Sequence, residues 1–133
     1  MRMLLPIGCM IAAGSMLWAQ PDESKLHDAM KQIGPTVGGL NKKIAAKDEG
    51  ASADAKKLHA LFGGVHEFWK EKQAADAVAF AETAQAEFMA VSEQTAAGKW
   101  DDAGVSFKKA TATCAGCHGA HREKAADGSW KVK

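Results

Sequence analysis

Leu26, Met30, Ile33, Val37, Leu40 and Ile44 recur at steps of 4, 3, 4, 3 and 4, and this interval restricts the fold more than any other feature of the chain. Residues three and four apart share one face of an α-helix, so the six draw a single apolar stripe that must be buried against other helices. The spacing predicts a helix from about Asp22 to Lys47. Gly34-Pro35 falls in its middle. Proline removes a backbone N–H and should kink the helix there or split it into two. Gly38-Gly39 weakens the second half further.

The same period continues along the chain. After the turn Lys47-Asp48-Glu49-Gly50, Ser52 is the expected cap of a second helix, about Ala53 to Gln73, with Leu58, Leu61, Phe62, Val65, Phe68 and Trp69 on its apolar face. Gly63-Gly64 inside it costs roughly 1 kcal/mol per glycine relative to alanine, which a close approach of another helix or of a bound group would explain. Asp76 is the expected cap of a third helix, about Ala77 to Ala97, marked by Val78, Ala81, Gln85, Phe88, Val91 and Thr95 and ended by Gly98. Asp101 is the expected cap of a fourth, about Asp102 to Ala126. Phe107, Ala110, Cys114, Cys117, His118 and His121 share its inward face, and Asp127–Lys133 reads as a loose cover. No strand-like alternation is visible, and alanine, lysine, glutamate and glutamine favour helix. Four helices, each about 30 Å long and joined by short connections, imply an all-α, antiparallel, up-down-up-down four-helix bundle.

That bundle accounts for residues 20–133. Residues 1–19 differ: Arg2 is followed by an apolar stretch from Met3 to Trp18, and Ala19 suits the last position before cleavage, the pattern of a secretory signal peptide. The stretch is too short and glycine-rich to favour a membrane anchor. Pro6-Ile7-Gly8 before Cys9 fits a lipid-attachment box poorly. The expected location is therefore outside the cytoplasm, in a bacterial periplasm. The remaining 114 residues carry 16 basic and 16 acidic side chains, a balance that points to neither nucleic acid nor an anionic membrane as partner.

Of three cysteines, two lie beyond the signal segment, both in Cys114-Ala115-Gly116-Cys117-His118. C-x-x-C-H is a recognised signature of covalent c-type haem attachment. Two thiols add across the two vinyl groups of haem, and the histidine after the second cysteine faces the iron. On a helix Cys114 and His118 are four apart and share a face, which fixes the porphyrin edge beside its metal. The competing readings fit less well. A thioredoxin-like pair wants a βαβ setting and opens a helix. A zinc site needs four ligands, and Cys117 and His118 are adjacent, with His121 as the only nearby fourth. One covalent haem c is the expected cofactor.

An export signal, four helices and Cys114-x-x-Cys117-His118 near the carboxyl end together resemble the class II cytochromes c, the family that includes cytochrome c′ and its low-spin, six-coordinate relatives. The resemblance covers nearly all of residues 20–133. It implies that Arg122, at the family's basic position, lies near a haem propionate, and that the first helix supplies the group on the far side of the iron. Leu26-His27-Asp28-Ala29-Met30 is similar to the low-spin pattern, with Met30 at the ligand position. His121 stands where the family usually has an aromatic residue. Within residues 20–133 only Met30 and Met89 offer a thioether, and Met30 falls at the end of the first helix that an antiparallel bundle sets beside His118. Met30 as core filling, His27 in its place, and a five-coordinate iron stay open as alternatives.

The resemblance implies an electron carrier cycling between Fe(II) and Fe(III), with exported or membrane-bound redox proteins as partners and a homodimer through the first helices as a further possibility. The alternative is a five-coordinate binder of the diatomic gases nitric oxide or carbon monoxide, for sensing, transport or protection. No enzyme is expected, since His27 alone could offer a distal acid or base. His59 and His66 read as surface histidines. Lys42, Lys43, Lys56, Lys57, Lys108 and Lys109 read as solvated faces, and Trp69, Phe62 and Phe88 as core, with the porphyrin as a further neighbour.

Overall fold

The Asp22 carboxylate accepts the Ser24 N–H at 3.0 Å and starts α1, Glu23–Ala46, as an N-cap that satisfies one orphan donor. The computed structural model describes residues 20–133, so the expected signal peptide lies outside the described residues. α1 runs unbroken through Pro35. Leu26 and Ile33 are buried before the proline and Leu40 after it, so packing on both sides carries the helix across the missing hydrogen bond. Lys47, left-handed at φ 54°, closes α1 with its N–H on Ile44 and Lys43 carbonyls.

α2, Ala51–Glu71, α3, Ala75–Ala96, and α4, Trp100–His121, follow after connections of three or four residues. Each consecutive pair packs together, which connections this short permit only for antiparallel neighbours, and the result is an all-α four-helix bundle. The expected caps are corrected at three places. Gly50 rather than Ser52 precedes α2, because the Asp48 carboxylate takes the Gly50 N–H at 2.7 Å and the Asp48 carbonyl the Ala51 N–H at 3.0 Å. The Ser52 hydroxyl instead donates to the Ser92 carbonyl at 2.9 Å and ties α2 to α3. Ala74 and Lys99, without side-chain cap bonds, precede α3 and α4, which leaves Asp76 and Asp101 inside the first turns. A carboxylate there still suits the positive end of the helix dipole.

The largest correction is at the carboxyl end. α4 stops at His121 rather than near Ala126, and Arg122 turns to extended backbone. β1, Arg122–Lys124, pairs antiparallel with β2, Trp130–Val132, with Arg122 opposite Val132 and Lys124 opposite Trp130. Gly128 takes the turn at φ +84°, and Asp127 accepts the Ser129 N–H at 2.9 Å. The segment expected to be a loose cover is therefore a hairpin. Cross-strand pairs outweigh the helix preference of Arg122–Ala126: Lys131 meets Glu123 at 3.2 Å, and the Arg122 guanidinium lies 3.8 Å from the centre of the Trp130 ring.

The core sits between α2, α3 and α4. Phe62 stacks on Phe88 at 5.5 Å, and Phe107 meets Phe88 edge-on at 6.5 Å. Fully buried Ala51, Ala55, Ala77, Ala84 and Ala103 let the helix backbones approach closely. Gly63 belongs to the same close approach, since a Cβ there would lie 3.3 Å from the Gln85 amide; Gly64 faces open space. α1 packs mainly on α2, where Lys43 Nζ meets Asp54 Oδ2 at 2.7 Å, so Lys43 is not a freely solvated lysine. Between α1 and α4 the contacts are few, and that gap positions the site described next. Among the described residues no helix is long and apolar enough to cross a membrane.

Candidate functional site

The gap between α1 and α4 is a pocket of about 540 Å³, within the range of about 300–1,000 Å³ usual for sites that hold small molecules and cofactors. All four helices and the hairpin wall it. α1 contributes Leu26, Met30, Ile33 and Val37, the first four of the six positions of its stripe. α2 contributes Phe62, Val65 and Trp69, and α3 contributes Ala77, Phe80 and Ala81. Across from α1, α4 presents Thr113, Cys114, Cys117, His118 and His121.

α4 is continuous through the C-x-x-C-H segment, so Cys114 and His118 share a helical face, and both, like Cys117, are half-buried at the pocket wall. The expected site residues Cys114, Cys117, His118, Met30 and Arg122 all line this one pocket. His27 lines it too, at the exposed outer end of α1. Met89 does not, which separates the two thioethers. Nor do His59, whose Nδ1 lies 2.9 Å from the Gln85 carbonyl, and His66, held between Glu67 and Glu82; both are half-buried between α2 and α3 rather than free on the surface. Of the aromatics, Phe62 and Trp69 line the pocket while Phe88 is core alone.

The electrostatics follow from burial in an apolar wall. Desolvation pushes the Cys114 thiol above its ordinary value. The Cys117 thiol is pushed up to about 11, first by desolvation and then by the negative charges of Asp76 and Cys114. Desolvation lowers His118, and the Arg122 charge lowers it further. At neutral pH the helix therefore offers two uncharged thiols and an uncharged imidazole whose ring lone pair is available to a metal. Among the described residues no three His, Cys, Asp or Glu side chains converge as a ligand cluster for a bare ion. Behind the motif, His121 Nε2 donates to Asp76 Oδ2 at 2.8 Å and lies against the Trp69 ring at 4.8 Å, so this histidine is anchored to α3 and packed on α2. The His121 contact holds the Asp76 carboxyl below its ordinary value.

The charged side chains at the mouth are Lys31, Arg122 and Lys131, and among the described residues no acidic side chain lines the pocket. Sequence reasoning missed Phe80, which stands off the stripe marked for the third helix, and it missed the hairpin residues Trp130 and Val132. Asp127-Gly128 between Lys124 and Trp130 was the available signal for the latter, a turn dipeptide between potential strands. No family model, curated protein or solved structure matches the chain.

Proposed function

We propose that the chain is a mono-haem c-type cytochrome of the class II kind, joined to haem c through Cys114 and Cys117 and serving as an exported electron carrier. The single observation that carries this reading is the pocket between α1 and α4, which has the C-x-x-C-H face on one wall and Met30 on the other. Its size, its apolar lining and its basic mouth fit a flat, apolar group that bears carboxylates and needs one metal-binding imidazole and two thiols.

In this reading the chain's residues divide the work. Cys114 and Cys117 would hold the haem as two thioethers, with each thiol hydrogen going to a vinyl carbon. His118 would hold the iron through its ring nitrogen, and Met30 would offer its thioether from α1. Arg122 faces the propionates with its positive charge. The haem itself supplies a one-electron Fe(III)/Fe(II) couple. Side chains held on packed helices would reorganise little when such a group gains or loses an electron, and a methionine ligand would favour its reduced state. Phe62, Val65 and Trp69 keep water from the inner wall. Exported or membrane-bound redox proteins are the corresponding partners.

The test is absorption spectroscopy of the protein purified from a host that matures c-type cytochromes. Haem that stays with the chain under denaturing conditions and a low-spin ferric spectrum with the long-wavelength band of a methionine–iron bond are expected. Met30→Ala should abolish that band. A high-spin spectrum that changes with carbon monoxide in the unsubstituted protein rejects electron transfer in favour of gas binding. A colourless product with two free thiols rejects haem altogether.

A further inference from the structure

We propose that the hairpin Arg122–Val132 is the face on which an acidic redox partner docks, with Trp130 as the side chain that links the pocket to solvent; this rests on the haem reading above. Four aromatic side chains line the pocket: Phe62 and Trp69 are buried, Phe80 is half-buried, and Trp130 alone is exposed, at 45%. Electron transfer weakens steeply with distance, and Trp130 is an aromatic ring that both lines the pocket and reaches solvent. The ring is held there. The Arg122 guanidinium lies 3.8 Å from its centre and Lys124 Nζ lies 5.2 Å away. Val132, next along β2, packs against the core, and the Lys133 N–H bonds the His121 carbonyl at 3.1 Å, so the strand is tied to the end of α4.

The charge around this ring is one-sided. Residues 122–133 hold four basic side chains, Arg122, Lys124, Lys131 and Lys133, against Glu123 and Asp127. Lys131 pairs with Glu123 at 3.2 Å, Arg122 is the side chain assigned above to the propionates, and among the described residues Lys124 and Lys133 form no ion pair. An exposed apolar ring bordered by unpaired cations is complementary to a partner patch that is acidic at its rim and apolar at its centre. The rest of the molecule has the opposite tendency. Residues 20–133 balance 16 basic with 16 acidic side chains, and two haem propionates make the loaded protein negative. Whole-molecule charge therefore repels an anionic oxidant, whereas Lys124 and Lys133 attract one to the outer edge of the hairpin.

That difference in sign is the test. The ferrous holoprotein is oxidised in a stopped-flow instrument by hexacyanoferrate(III), an anion that takes one electron, and separately by tris(phenanthroline)cobalt(III), a cation that does the same. Between about 10 and about 200 mM ionic strength the anion's rate should fall at least about threefold while the cation's rises, because screening removes the local attraction and the local repulsion respectively. Lys124→Gln should lower the low-salt rate with hexacyanoferrate about twofold with the absorption spectrum unchanged, and Lys56→Gln on the exposed side of α2 should leave the rate as it is. A hexacyanoferrate rate that rises with salt, or equal effects of the two lysine substitutions, overturns the docking face while leaving the haem reading intact. Co-sedimentation of the holoprotein with phosphatidylglycerol vesicles, lost in Lys124→Gln, would assign the hairpin to a membrane surface and overturn the proposal as well. Failure of the haem reading is seen separately, in the spectrum, before any rate is measured.

Discussion

The ring of Phe80 occupies the place where a side chain on Gly116 would begin: an ideal Cβ there falls 2.7 Å from both Cε1 and Cζ of the ring. α3 thus leans on the middle of the C-x-x-C-H segment, and Phe80 lines the pocket beside it. Gly116 is exposed and inside a helix, where alanine would ordinarily stabilise by about 1 kcal/mol. Here overpacking costs about 1–3 kcal/mol and should prevail, since the ring has to leave the pocket wall to make room. Gly116→Ala is expected to lower the urea midpoint, and in a Phe80→Ala background the same substitution should raise it. A stabilised single variant would mean that Phe80 yields without resistance.

The thiols allow a chemical test that is independent of colour. With Cys117 pushed up to about 11 and Cys114 also raised, both side chains of the haem-free protein are almost wholly protonated at pH 8. Iodoacetamide reacts with thiolate, so alkylation of the folded apoprotein should be slower than that of an unfolded control at pH 8 and should accelerate up to about pH 11. If the proposed haem is attached, neither cysteine should be alkylated at any pH, because both sulfurs would be thioethers. Mass spectrometry of the alkylated chain reads both results, and rapid labelling of folded apoprotein at pH 8 would contradict the burial described for Cys117.

Asp76 connects that chemistry to acid stability. Its carboxyl is held below the ordinary 3.8, chiefly by the hydrogen bond to His121. A carboxylate lowered in the folded state stabilises the fold above its unfolded value, and the contribution disappears as pH falls through the folded value. Asp76 is exposed, so solvent screens the pair and the effect is small. The melting temperature of Asp76→Asn should lie below that of the unsubstituted protein at neutral pH, and the two should converge in acid below both values. Because the Asp76 charge also raises Cys117, the variant's thiol should alkylate faster than the parent's at a given pH. Parallel melting curves at every pH would remove Asp76 from the fold's acid response.

What the sequence discloses depends on how local the signal is. The stripe from Leu26 to Ile44 specifies α1 because a period of 3.6 leaves one buried face, and Cys114, Cys117 and His118 announce their shared wall because helix geometry fixes i and i+4 together. Met30 was placed by topology, since antiparallel helices bring the start of α1 level with the end of α4. Ser52, Asp76 and Asp101 were misread as caps because a capping residue is defined by where the backbone turns, and the turn after Lys47 is settled by Asp48 rather than by Ser52. Phe80 was illegible because its neighbour is Gly116, on another helix and without a side chain of its own. The hairpin was overlooked because Arg122–Ala126 has good helix formers, whereas its strands depend on pairing with Trp130–Val132, contacts that propensity alone does not contain.

Trp69 carries the last prediction. It is 4% exposed, its ring meets Phe68 edge-on at 5.0 Å, and among the described residues its indole N–H has no hydrogen-bond partner. An unpaired buried donor costs about 1–3 kcal/mol in desolvation, so a ring without it recovers that cost while losing some packing. Trp69→Phe should therefore change the unfolding free energy by no more than about 1.5 kcal/mol in either direction. Trp69→Ala deletes the whole ring from the pocket's inner wall and should cost about 3–5 kcal/mol. Denaturant unfolding of the two variants measures the contrast. If phenylalanine proved as damaging as alanine, the N–H would have to be making a bond in solution, and the position of His121 at 4.8 Å from the indole ring would identify the side chain to examine first.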